Sequence, residues 1–465
     1  MTEVASVRTG SWRELLGRER IGTSTVLAGG VALYATNEFL TISLLPSTVA
    51  DIGGQRFYAW VITVYLVGSV VAATAVNPLL VRFGPRTSYF LILSVFGAGT
   101  VACALAPSME LLLVARTVQG AAGGMLAGLG YAVINAALPS WLWTRASALV
   151  SAMWGVSVIL GPAMGGVFAQ FGIWRWAFGS LAIMTLAMAV LVPGALPARR
   201  DNDPVPGAIS RIPMWSLLLL GAAALAISVA GVQDTVAATA GLLATGVALV
   251  ACFLLVDRRA RAAVLPRTAF GPGPLKWMYV TMGLLIAATM VDMYVPLFGQ
   301  RLANMAPVVA GFFGAVLAVG WTVSEIASAS IDRIRVVVRL VAVAPVIMAI
   351  GLAFPAVALG DDVTWPVLAV WIVALFIVGT GVGVAWPHLS AWIMGAVDDP
   401  VEGGQAAAAI NTVQLISGAF GAGLAGVVVN IAEGGDVAAA RWLFAVFAAL
   451  AAVGSVASYR ASRGR

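Results

Sequence analysis

The chain has 465 residues, of which 61% are hydrophobic and only 10% charged, with 51 glycines and a mean hydropathy of +0.98. A soluble domain carries about 25% charged residues, so this composition excludes a water-soluble protein and implies a polytopic membrane one. The net charge of +6 comes from basic residues scattered through short loops with no basic face, which speaks against a nucleic-acid partner.

In chain order, residues 1–22 form a polar tail with Arg8, Arg13, Arg18 and Arg20 beside Glu3, Glu14 and Glu19. The apolar run after it is too long for a signal-peptide core and shows no cleavage site, so it reads as a retained first helix. Fourteen spans are predicted at 23–49, 57–80, 88–107, 110–137, 146–171, 175–193, 214–231, 236–256, 276–299, 307–331, 336–358, 366–394, 405–430 and 441–459. Several exceed the ~20 residues of a straight crossing, a surplus that tilt and kinks absorb.

Placing the N-terminus in the cytoplasm puts 21 of the 26 Lys and Arg residues on the inner side and leaves Arg56, Arg175, Arg301 and Arg441 outside. The positive-inside rule demands such an asymmetry, so both termini are expected to be cytoplasmic. Trp141, Trp143, Trp174, Trp176, Trp277, Trp365 and Trp442 fall near predicted span ends, as interfacial anchors should.

The fifth span carries Trp154 to Phe168, W-G-V-S-V-I-L-G-P-A-M-G-G-V-F. Gly155, Gly161, Gly165 and Gly166 would weaken a helix in water, but in a bilayer small residues let a neighbouring backbone approach. Gly161 and Gly165 share one face, and Pro162 removes an amide hydrogen and bends the rod. This arrangement resembles the antiporter motif in the fifth helix of the major facilitator superfamily. Arg116-Thr117-Val118-Gln119-Gly120 is similar to the family's fourth-helix motif, and Gly172 to Phe178 to the turn between helices five and six of its drug:proton antiporters.

Weak repetition joins the two halves. Asn77 to Arg86, with Arg82 and Arg86, and Ser328 to Arg335, with Asp332 and Arg333, both resemble the family's cytoplasmic loop signature. Val81 stands where the first copy should have an acid; this predicts a weak inner latch and a resting state that opens inward. The thirteenth span, with Gly418, Gly421, Gly423 and Gly426, echoes the fifth, and Val291 to Gln300 looks like the family's ninth-helix pattern. The resemblance implies an all-α integral membrane protein with the major facilitator fold and the fourteen-helix layout of the second drug:proton antiporter family. Its expected parts are the tail (1–22), a six-helix bundle (23–193), a linker with two inserted helices (194–275), a second six-helix bundle (276–459) and a short tail (460–465).

The chemistry must come from the few polar residues inside spans, since a charge at bilayer depth costs roughly 2.5–3.5 kcal/mol even on the lenient scale. Glu38 lies mid-span in the first helix, near Tyr34 and Thr41. The family pattern has an acid nine residues before its proline; here Asn37 holds that place before Pro46, with Glu38 next to it. Glu38 is either a packing carboxylate paired with Arg116 or a proton carrier. Arg116 cannot give up its charge and needs a counter-ion or carbonyl partners. By resemblance it tunes the protonation of an acid on the first helix, with Gln119 at i+3 on its face. Asp292, four residues before Pro296, is the matching candidate in the other half, its alternative being a water-exposed mouth residue.

Glu325 and His388 are candidate gate residues, His388 being either a proton relay or structural. Asn411 and Gln414 share a face and either hydrogen-bond between helices or line a cavity. Met290, Met293, Tyr294, Phe298 and Trp386 would supply a deformable apolar wall.

No phosphate-cradling loop with a lysine occurs, which excludes ATP drive within the chain. One histidine and two cysteines (Cys103 and Cys252, both in apolar runs) offer no metal constellation, and no cofactor or catalytic domain is expected. The expected function is export of amphipathic or cationic drugs by a monomer in the cytoplasmic membrane, by alternating access against inward proton flow, with H+ as coupling ion. A lipid or glycolipid transporter of the same fold is the main alternative; a passive channel or scaffold is the remote one.

Overall fold

The computed structural model describes residues 11–198, 213–233, 235–260, 262–329, 331, 333–360, 363–397 and 400–463. Its long elements are helices, numbered here α1 (Ile21–Ile52), α2 (Trp60–Ala73), α3 (Val76–Leu105), α4 (Met109–Ala132), α5 (Trp143–Gln170) and α6 (Arg175–Ala195) in the first half. There follow α7 (Met214–Ala230) and α8 (Val236–Arg259). The second half has α9 (Leu275–Ala303), α10 (Pro307–Ala329), α11 (Ile334–Ala358), α12 (Trp365–Met394), α13 (Pro400–Ile431) and α14 (Gly435–Ser462).

Twelve helices among the described residues are long and apolar enough to cross a membrane. That set omits α7, which has seventeen residues, and α1, where Asn37 and Glu38 interrupt the apolar run.

Two sequence-predicted boundaries move. The loop expected between the second and third spans is largely helical: α3 begins at Val76 and breaks only at Gly84, whose φ of 75° lies in the left-handed region. The ninth span is interrupted where Leu275–Thr289 gives way to a 3-10 turn, Met290–Tyr294, before α-helix resumes at Val295–Ala303. Pro296 explains the break, since it has no amide hydrogen to give to the preceding turn.

Within the first bundle α1 packs against α4, α5 and α6, and α4 against α2 and α3. The second bundle sets α9 against α12, α13 and α14, α10 against α12, and α11 against α12 and α14. The bundles meet along two seams, α5 with α10 and α2 with α13; the second seam is covered by α7, which packs on both of its helices.

At both seams the contacts gather in the half of the molecule away from the chain termini. Gly166 of α5 abuts Val308, and Gly311 of α10 abuts Ser43 and the Pro162 carbonyl. Val158 packs with Ala315, Ala318 and Phe39. Hydrogen bonds reinforce that end. The Tyr58 hydroxyl donates to the Met293 carbonyl (3.1 Å), Asn430 to the Arg56 carbonyl (2.8 Å), and Arg301 to Gln55 (3.0 Å) while also pairing with Asp436 (3.0 Å). One helical face of α5 carries Gly155, Val158, Pro162 and Gly166. A Cβ at Gly155 would meet no atom within 4 Å, so along this face the bundles have parted towards the terminal end.

Candidate transport cavity

The site is built around Arg116, which α4 carries into the core with no exposed surface. Gly120 and Gly124 let the α4 backbone run against α2 at Tyr65 and Ser69, and this brings the guanidinium over the Tyr65 ring, 4.1 Å from its centroid. Nε donates to the Val61 carbonyl (3.2 Å), and Nη1 to Asn37 Oδ1 (3.1 Å) and Gln119 Oε1 (2.6 Å). Gln119 is fixed in turn: its Nε2 donates to Thr100 Oγ1 (2.8 Å), whose hydroxyl donates to the Phe96 carbonyl (2.7 Å). All these partners are neutral, and Nη2 has none. A permanent charge is thus held by a fork of oxygen acceptors and an aromatic face.

Asn37, fully buried, fills the place where the family pattern has an acid, and it is the residue that contacts Arg116. Glu38 beside it points elsewhere. It stays partly exposed while Asn37 and Leu40 are buried, and it lies within electrostatic reach of Arg116 rather than bonded to it. The direct Glu38–Arg116 pair considered from sequence is therefore not formed; the Asn37 and Glu38 side chains leave α1 about 100° apart. From the other bundle Asp292, on the 3-10 turn of α9, is also partly exposed, has an unpartnered Oδ1, and lies close enough to sense the charge on Glu38. One carboxylate from each bundle thus lies within electrostatic reach of the other.

Aromatic rings pack around these groups, all but Trp154 buried. Tyr34 stacks on Tyr65 (5.7 Å between centroids) and meets Trp154 edge-on (5.8 Å), while Tyr294 stacks on Tyr58 (4.7 Å) and Phe298 (5.9 Å). The hydroxyls of Tyr34, Tyr65 and Tyr294 and the Asn37 amide nitrogen are buried without partners. Such a cluster calls for water or a ligand.

The remaining sequence candidates divide. Thr41 is buried and spends its hydroxyl on the Asn37 carbonyl (2.7 Å). Gln119 props Arg116, and Tyr34, Met293, Tyr294 and Phe298 are buried in the packed core, so none of these expected lining residues has surface in a cavity. Gln414 and Trp386 are half-buried, and Asn411 is exposed on α13 nearer the termini. Gly161 and Gly165 lie against Phe39, Leu40 and Ser43 of α1. Arg86 Nε ties α3 to the Leu196 carbonyl (2.9 Å), and Arg82 lies over Phe83. Arg333 stands at the N-cap position of α11 without a side-chain capping bond, while Asp332 lies outside the described residues. His388 has an unpartnered Nε2, and Glu325 lies in reach of the Trp321 indole. Tyr65, Tyr58, Trp154 and Trp321 were missed from sequence, because an aromatic residue in an apolar span looks like any packing residue.

Two helical bundles joined by two seams, with a titratable group of each in electrostatic reach of the other, define a membrane transporter of the two-bundle kind. The chain belongs to the Major Facilitator Superfamily, whose sequence model matches residues 27–422. It is 62% identical over 466 residues to a probable multidrug-efflux transporter of Mycobacterium tuberculosis, covering 99% of this chain and 98% of that one. A multidrug transporter protein of Bacillus subtilis is 23% identical over 56% of this chain and 49% of its own. Among solved structures, a bacterial homologue of the human lysosomal transporter Spinster superposes with a TM-score of 0.67 at 12% identity, over 98% of both chains. A D-xylose-proton symporter does so with 0.65 at 13% identity, over 96% of this chain and 98% of that one. These likenesses are of fold.

Proposed function

We propose that this chain is a proton-coupled exporter of amphipathic, cationic drugs, working as a monomer in the cytoplasmic membrane with fourteen crossings and both termini in the cytoplasm. The observation that carries the reading is the facing pair Glu38 and Asp292, one from each bundle, partly exposed and in electrostatic reach of each other. Two carboxylates that share a cavity hold protons when it is empty and give them up to a cation, since like charges oppose joint ionisation. The name of the 62% identical relative favours drugs over lipids as cargo.

In this reading the end away from the termini is the outer one. Its closed contacts then correspond to an inward-open state, in keeping with the weak inner latch at Val81. Arg116, held by neutral partners, supplies a fixed positive charge near Glu38. The half-buried Trp154 ring receives the apolar part of the cargo. Inward movement of one proton yields ~2.3 kcal/mol per 100 mV, enough for roughly fifty-fold accumulation.

The test is ethidium efflux driven by an imposed pH gradient in proteoliposomes. The wild type should move dye only with the gradient, and Glu38→Gln should bind dye yet fail to move it uphill. Gradient-independent transport by the wild type would refute proton coupling.

A further inference from the structure

The face of α10 that meets α5 carries Gly311, Ala315 and Ala318, and seven residues further on the same stripe presents Glu325. There the seam has opened, since Gly155 on the facing stripe of α5 has empty space before it. Glu325 is half-buried and within hydrogen-bonding reach of the Trp321 indole. Trp321 in turn meets Trp386 of α12 with ring centroids 5.5 Å apart and planes at 62°. The close α10–α12 approach at Gly379 and Gly383 holds the two indoles together.

Both indoles are half-buried, whereas Trp371 on α12 is sealed in the core at 1% exposure. Each stands eight residues from its helix end, about 12 Å along the axis, deeper than an interfacial anchor needs. Two indole faces set at an open angle, with a carboxylate at their rim, form the arrangement that binds an organic cation through cation–π attraction and charge.

We propose that Trp321, Trp386 and Glu325 form a separate recess, nearer the termini than Glu38 and Asp292, that takes the charged head of an organic cation on its way to the central pair. This rests on the reading of the chain as an exporter of cations. The recess selects for delocalised charge on a bulky head, because the indole faces are fixed and wide.

Equilibrium dialysis of tetraphenylphosphonium against the full chain in nanodiscs tests it, with neutral triphenylphosphine oxide as the comparator. Glu325→Gln should weaken binding of the cation about tenfold and leave the neutral compound unchanged. Trp386→Ala should weaken both, and Trp386→Phe should recover most of the loss. Wild-type binding with all three variants within twofold of it would overturn the recess and leave the export reading standing. Absence of tetraphenylphosphonium binding to the wild type would overturn both. Glu325→Gln is isosteric and Trp386→Phe keeps an aromatic ring in place, so the result does not hang on whether the alanine variant folds.

Discussion

Gly166→Ala is the substitution that most sharply separates a moving seam from a static one. A Cβ at Gly166 would lie 2.6 Å from Val308 Cα in the opposite bundle, against at least 3.4 Å for ordinary contact, so the seam must part by about 0.8 Å. Overpacking of this kind costs about 1–3 kcal/mol. Because the contact exists only while the outer end is closed, the cost falls on that state alone and shifts the opening equilibrium about five- to 150-fold. Gly161→Ala is the matched control. Its Cβ would meet Leu40 N at 2.9 Å and Phe39 C at 3.0 Å, but both belong to its own bundle, so both states are penalised alike. Ser43, buried against Gly311, reports opening once replaced by cysteine and probed with an impermeant maleimide. Cys103 is buried, and the exposed Cys252 is replaced by alanine. Gly166→Ala should speed labelling of Ser43→Cys at least fivefold, while Gly161→Ala should lower the Tm and leave labelling near the parent rate. Equal labelling of the two variants would refute the reasoning.

Three further outcomes follow from the packing. Arg301→Gln removes a pair with Asp436 inside its own bundle and a bond to Gln55 across the seam; only the second biases opening, and its loss, worth at most about 1 kcal/mol at this exposure, should raise the same labelling rate up to about fivefold. Asp257 is buried and accepts from the Ser216 hydroxyl (2.7 Å) and the Val264 (2.7 Å) and Leu265 (2.9 Å) amides, pinning the base of the α7–α8 hairpin. Asp257→Asn turns one acceptor into a donor facing a donor, and should cost about 2–3 kcal/mol, read as a lower Tm and faster proteolysis after Arg259; an unchanged Tm would dismiss the pin. Arg116→Lys cannot serve the Val61, Asn37 and Gln119 oxygens together from one ammonium. It should abolish drug efflux at normal protein levels, so full efflux by this variant would show that the guanidinium geometry is dispensable.

Much of the architecture was legible because bilayer crossing imposes a length and a composition that few segments meet by accident. Legibility failed where sequence hydropathy and backbone geometry part company. The stretch around Arg82 and Arg86 is polar enough to read as a loop, yet helix resumes straight after Gly84. Between Lys276 and Gln300 α9 is apolar but for Asp292, yet Pro296 breaks it into the 3-10 turn that carries Asp292. Charged residues at depth announced themselves, so Glu38, Arg116 and Asp292 could be named at once. Their partners could not. That Asn37 rather than Glu38 meets Arg116 depends on 100° of helix rotation, and that Tyr65 lies under the guanidinium depends on how closely Gly120 lets two backbones approach. Asp257 was passed over because, next to Arg258 and Arg259, it resembles one more helix-end charge.

The most direct measurement is proton release from the purified chain when a cationic drug binds, followed with a pH dye in weakly buffered detergent solution. The wild type should release protons in proportion to drug bound, and Glu38→Gln combined with Asp292→Asn should bind drug and release none. Undiminished release from the double variant would contradict the claim that these two carboxylates exchange protons for cargo.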